Sequence, residues 1–343
     1  MRFAVLHLPA DKWDRPAIFM ALRAFHYLFD FHGITEFHLN IAAVPEEAKK
    51  FWDASFRLRK RDFTFQFGVS TEGLQPFSAP DFPMYLDGRE RIDLNIPEIP
   101  GLTDFHVHSP LAFCGENMNI PGAMEMAHCS RVAMLNIAEH SGQLFCTPDT
   151  YWNNRFRWQT RRTEDDRSWK YKNIAKNLAG AGRVFGFELD VDEDAVVSGF
   201  PSEYLTGYRL GAIHFLKPDL SYEELKADYM RRLDALLTDG IAILAHPFRV
   251  FVKRGFAAPE ELFGEVAEKL VRAGVAAEIN FHAGNRPSAE FTTLMIKKGG
   301  KISWGTDSHN LYEVGYLKPH YEFCKELDID GKLDEVLLSA VPR

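Results

Sequence analysis

Six histidines and two acids in this chain sit where a metal centre would need them. His106 and His108 occur in DFHVHS, His140 in NIAEHS, Glu188 in FGFELD, His214 in GAIHF, His246 in ILAHP, and Asp307 and His309 in SWGTDSH. On an extended strand, residues two apart point the same way, so His106 and His108 can reach one ion together. Neutral imidazole is a common metal ligand, and carboxylates bridge or neutralise cations. Taken singly, each motif is ordinary. A histidine at a strand end is usually just hydrogen-bonded, and Asp-Ser-His can cap a helix. The conjunction is what points to a cluster of two or three divalent ions. The other histidines, His7, His26, His32, His38, His128, His282 and His320, are read as ordinary core or surface residues.

These ligands need a scaffold that brings distant segments to one place. Seven short apolar runs recur at 102–106, 132–137, 184–189, 210–215, 241–245, 275–279 and 301–304, and each ligand motif lies at the end of one of them. Helical patterns fall between several, over 221–237, 259–273 and 287–297. Ser221 and Glu224 make a capping box, and Gly240 and Gly274 stand just past two helix ends. Strand and helix in alternation over residues 101–343 predict a parallel α/β barrel, whose strand ends converge on one face. Residues 1–100 read as a small α+β extension. An apolar run covers 3–8, helices 16–31 and 45–58, strands 37–42 and 62–69, and a proline-rich linker 75–101. The basic cluster Arg57, Arg59, Lys60 and Arg61 reads as a solvated helix end.

The order His-x-His, His, Glu, His, His-Pro, Asp-x-His resembles the PHP (polymerase and histidinol phosphatase) superfamily over about residues 102–315. The resemblance implies a distorted seven-stranded (β/α)7 TIM-like barrel with a trinuclear site of manganese, iron or zinc. It implies one ion on His106, His108, Glu188 and Asp307. A second would take Glu116, His140 and His309, and a third Glu188, His214 and His246. Glu116 stands where family members commonly have a histidine, which would make that site harder and more anionic. The implied activity is hydrolysis of a small phosphate ester, a phosphomonoester first of all, by metal-activated hydroxide. Asp307 would orient the water, and His246 or His309 would help protonate the leaving oxygen.

Substrate selection falls to the loops. Arg249, three residues after His246, is the first choice for a phosphate contact. Arg155, Arg157, Arg161 and Arg162, interleaved with aromatics, are further candidates. Glu278 and Asn280 are expected to line the pocket. A net charge of −8 and a pI of 5.9 argue against broad nucleic-acid binding. The four cysteines form no Cys-x-x-Cys pair. No signal peptide or membrane span is legible, so a cytoplasmic location is expected. Two other functions fit less well. An amidohydrolase would offer a bridging lysine where Glu188 stands, and a metal-containing binding domain would not need so complete a ligand set.

Overall fold

The computed structural model describes residues 3–7, 15–40, 64–67, 84–86, 90–152, 166–199, 205–217 and 219–339. The chain divides into two compact units, Met1–Pro97 and Glu98–Arg343.

In the first unit, β1 (Phe3–His7), β2 (Glu36–Asn40) and β3 (Thr64–Phe67) run parallel. The helix Arg15–His32 connects β1 to β2 and buries Phe19, Leu22, Phe25 and Leu28 at helical spacing. The stretch expected to be an irregular linker holds two short strands. β4 (Met84–Leu86) pairs antiparallel with β1, and β5 (Glu90–Ile92) with β4. Neither three-residue strand contains a proline, so neither lacks a backbone donor for its ladder. The helix expected over 45–58 and the basic cluster at 57–61 lie outside the described residues.

In the second unit all seven expected strands form, within a few residues of their predicted bounds: β6 (Thr103–Val107), β7 (Met134–His140), β8 (Arg183–Asp190), β9 (Arg209–Ala212), β10 (Ile243–Leu244), β11 (Ala276–Ile279) and β12 (Ile302–Trp304). They pair in chain order, all parallel, into one sheet that is nearly closed into a barrel. Burial along the strands is almost continuous, as expected when both faces of a parallel sheet are covered. The helix Glu260–Ala273 shows how the outer layer attaches. It buries Phe263, Val266, Ala267 and Leu270 along one stripe. The capping box forms as read, with Glu224 N–H on the Ser221 hydroxyl and Ser221 N–H on the Glu224 carboxylate at 2.8 Å. Gly240 and Gly274 both take positive φ after their helices, at 78° and 68°.

The gap between β12 and β6 is closed just beyond the end of β12. His108 N–H donates to Ser308 O at 3.1 Å, and Ser308 N–H donates to His106 O at 3.2 Å. Asp104, fully buried at the base of this seam, accepts from Thr306 N at 3.0 Å, Thr306 Oγ1 at 2.6 Å and Gly315 N at 3.0 Å. A buried carboxylate survives only with such partners. The β6–β7 ladder also shifts register between Asp104 and Val107. Irregularities of this kind re-aim a side chain, here in the segment that carries His106.

His320 lies in the helix Lys318–Glu326, packed on Trp304 and Phe281, with its Nε2 3.0 Å from Gly305 O. Burial pushes its pKa down to about 4. The folded protein therefore holds it neutral, while the unfolded chain takes up the proton from about pH 6.5 downward. Its contribution to stability is complete above pH 6.5 and is lost as pH falls through 4. The loss amounts to roughly 3 kcal/mol. His320→Gln should flatten the acid limb of a urea-unfolding series by that amount relative to wild type. Parallel pH-stability curves for the two proteins would disprove this.

Candidate metal centre

Closure of the barrel sets His106 and His108 beside Asp307 and His309. The side chains of His106, His108, Glu188 and Asp307 are all essentially buried. Glu188 lies at the middle. It is register partner of His140 across β7 and β8, so the two face one side of the sheet. Its Oε2 lies 2.6 Å from His140 Nδ1 and 3.4 Å from His106 Nε2. Its Oε1 lies 2.9 Å from His246 Nε2 and 3.2 Å from His214 Nε2. His108 Nε2 is 2.9 Å from Asp307 Oδ1. Three overlapping groups have ligand atoms close enough for one ion each: His106, His108 and Asp307; His108, His140 and His309; and His140, Glu188 and His214.

Several rings are turned by a partner on their far side. His106 Nδ1 bonds Glu278 Oε1 at 2.7 Å, His214 Nδ1 bonds Asp190 Oδ1 at 2.6 Å, and His309 Nδ1 bonds Asp307 O at 2.7 Å. Each acceptor takes a hydrogen bond from Nδ1–H and so turns Nε2 inward, the usual support for a metal-ligating histidine. Glu278 also accepts His246 N–H at 2.7 Å and Asn280 Nδ2 at 3.0 Å. Gly305 packs so close to Glu278 and His106 that a Cβ there would collide with both. Glu139 accepts Ser109 N–H at 3.2 Å and His140 N–H at 2.9 Å, and ties the two loops that carry His108 and His140.

These residues fit an ion on an observation of the protein itself. His106 Nε2, His108 Nδ1, His140 Nδ1, His214 Nε2 and Glu188 Oε2 are buried and make no well-aligned hydrogen bond, although His140 Nδ1 and Glu188 Oε2 lie 2.6 Å apart. Buried polar atoms are almost always paired, because leaving one unpaired costs about 1–3 kcal/mol. His106 Nε2, His140 Nδ1 and His214 Nε2 all turn onto the Glu188 carboxylate, an arrangement that cations between them would satisfy. The backbone carries cost too. His246 and Asp307 sit at φ 41° and 55°, in the left-handed region that non-glycine residues avoid at about 1–3 kcal/mol each.

Electrostatics divides the ligands. Burial alone would raise Asp307 and Glu188. The cations around them win, with His106 and Arg249 on Asp307 and His214 and His140 on Glu188, and both carboxyls are held well below the usual range. Burial opposes charge on His106, but Glu278, Asp307 and Glu188 raise it well above the ordinary value. His108 and His214 are raised to about 9 against the same burial, His108 by its hydrogen bond to Asp307 and the nearby Glu139 carboxylate and His214 by Glu188 and Asp190. Burial, reinforced by Arg249 for His246 and by His108 for His309, pushes these two well down.

The other sequence candidates fall differently. Arg249 is buried and donates to Asp307 Oδ2 at 2.7 Å. Glu116 is exposed, takes the Asn310 amide on its carboxylate and joins none of the three groups. From the same loop it is Cys114 that approaches, with Sγ 3.5 Å from His140 Nε2. Arg155, Arg157, Arg161 and Arg162 lie outside the described residues. Asp190 and Glu139 were missed as supports. Asp190 had a signal, since it follows Glu188 by two on one strand and so shares its side. His282, read as ordinary, forms a further group with His309 and Glu313 at the edge of the centre.

Without an ion, His106, His108 and His214 hold protons at neutral pH. Ligation requires their neutral form, so metal loading must expel those protons. Titrating ion-free protein with manganese in weakly buffered solution at pH 7 should release about two to three protons per chain. Release near zero would mean that these rings are not ligands. Asp190→Asn, which removes the charge behind His214, should weaken metal affinity by about 10–100-fold. Unchanged affinity by competition with a chelator would remove Asp190 from that role. No family model matches the chain, and no curated protein matches it.

Proposed function

We propose that the unit Glu98–Arg343 is a metal-dependent hydrolase of the PHP type, acting on a small phosphate ester. The observation that carries this reading is the set of three overlapping groups of buried histidine and carboxylate side chains, each with ligand atoms close enough for one ion. Divalent ions held there would lower the pKa of a water and neutralise phosphoryl oxygens.

The chain's own groups supply the rest. Asp307 is clamped through Oδ1 by His108 and through Oδ2 by Arg249, which fixes its orientation toward an attacking water. Arg249 uses one Nη1 donor on Asp307, and its remaining donors suit a phosphate oxygen in the cavity that it lines. His246 and His309 are neutral at neutral pH, the form that binds metal, and in that form they store no proton for the leaving oxygen. Cys114 is no competing nucleophile. Burial pushes its thiol pKa up, so it stays protonated.

The test is metal content by elemental analysis on protein purified without chelators, together with p-nitrophenyl phosphate hydrolysis. The reading expects about two to three divalent ions per chain and hydrolysis that a chelator abolishes and manganese restores. His106→Ala should lose metal and at least about a hundredfold in kcat/KM while remaining folded. Absence of metal under every condition, or turnover indifferent to chelator, would overturn the reading.

A further inference from the structure

A cavity of about 570 Å³ opens over the centre, with His140, His214, Asp307 and His309 on its metal side. That is room for far more than a phosphate group. Two other parts of its wall have chemistry that hydrolysis of the ester does not use.

One part is cationic. Arg249 and Lys253 are four apart on the helix Arg249–Lys253, so they lie on one face of it, and both line the cavity together with Arg254. Among the lining residues the one carboxylate is Asp307, which Arg249 already engages. Lys253 has no ion pair or hydrogen bond among the described residues. Lys253 is exposed at the cavity mouth and stands one helical turn from Arg249. Arg254 is held at the rim by hydrogen bonds to Leu216 O at 3.1 Å and Lys217 O at 2.6 Å. Like charges at this spacing repel. They are gathered at a cavity mouth in a chain whose net charge is −8.

The other part is aromatic. Trp152 is 51% exposed and packs edge-on to Tyr151 at 5.1 Å, which in turn packs edge-on to Phe215 at 5.5 Å. Tyr151 is anchored to Asp190, the support of His214. This wall is therefore rigidly tied to the metal side and presents apolar surface to the cavity.

We propose that the substrate carries a second anionic group, a phosphate or a carboxylate, joined to the scissile phosphate through a planar apolar portion. The second anion lies at Lys253 and Arg254, and the planar portion lies against Trp152 and Tyr151. The proposal rests on the phosphate-ester reading above. It disfavours esters whose remote group is a cationic amine, which Lys253 and Arg254 would repel.

Binding of carbon–phosphorus analogues tests this without turnover. The manganese-loaded full chain is titrated by calorimetry with phenylphosphonate, para-carboxyphenylphosphonate and para-phenylenebisphosphonate. The second anion should lower Kd about tenfold, and the two dianionic probes tell a carboxylate site from a phosphate site. Lys253→Met should erase that gain while leaving phenylphosphonate within about twofold, and Lys253→Arg should keep it. Trp152→Ala should weaken all three probes together. Equal Kd for the three in wild type, or a gain that survives Lys253→Met, overturns the second-anion site. Unchanged binding in Trp152→Ala overturns the stacking wall. If phenylphosphonate itself does not bind, the phosphate-ester reading fails first and takes this one with it.

Discussion

Ser308 exchanges backbone hydrogen bonds with His106 and His108 at 3.2 and 3.1 Å, across the one place where the seven-stranded sheet is not laddered. Most of the site depends on that exchange. It sets the His-x-His of the first barrel strand against the Asp-x-His that follows the last, although about two hundred residues of chain separate them. Asp104 below the seam holds Thr306 and Gly315 to β6, so the closure is pinned by a buried charge as well as by backbone. Were the seam to open, His106 and His108 would part from Asp307 and His309, and the rest of the ligand ring would lose its fourth wall.

A second constraint follows from the first. Closing the barrel buries Glu188 completely among His106, His140, His214 and His246. An unpaired buried carboxylate is among the most costly groups a fold can hold. The protein meets that cost with positive charge, and protons or divalent ions can both supply it. The carboxylates raise the pKa of His106 and His214, so protons supply that charge when no ion is bound, and divalent ions would replace them. The left-handed backbone at His246 and Asp307 belongs to the same economy. Strain persists where surrounding contacts over-determine a residue, and Glu278 and Arg249 do so here.

The cavity wall extends this logic outward. Arg249 is at once the partner of Asp307 and the first residue of the short helix that ends in Lys253. The metal side and the cationic rim are thus one rigid piece. Asp190 does the same on the opposite side, joining His214 to Tyr151 and the aromatic wall. The histidine cluster and the two cavity walls are thus joined through two carboxylates, Asp307 and Asp190. A change in either would be felt on both sides of the cavity.

The sequence by itself determined the barrel and the residue types at its strand ends. Apolar runs of strand length, separated by capped amphipathic helices, leave a parallel sheet little choice, and period-two spacing told which side His106 and His108 share. Glu278 and Asn280, expected to line the pocket, do not line the cavity and are instead buried behind the ligands, with Glu278 on His106 and His246 and Asn280 on Glu278 and Asp307. Three things only the tertiary structure decided. The proline-rich stretch before the barrel contains β4 and β5, because its prolines fall outside three-residue strands too short to show a period. The loop after His-x-His turns Cys114 toward His140 and leaves Glu116 with Asn310. Glu139 as a partner behind the ligands emerged only with the fold, as did the pairing of Asp190, whose spacing from Glu188 showed its side but not its partner. Period and polarity are local properties of a chain, legible residue by residue. Loop direction and the pairing of buried charges depend on segments far apart in sequence, and are settled only when packing brings those segments together.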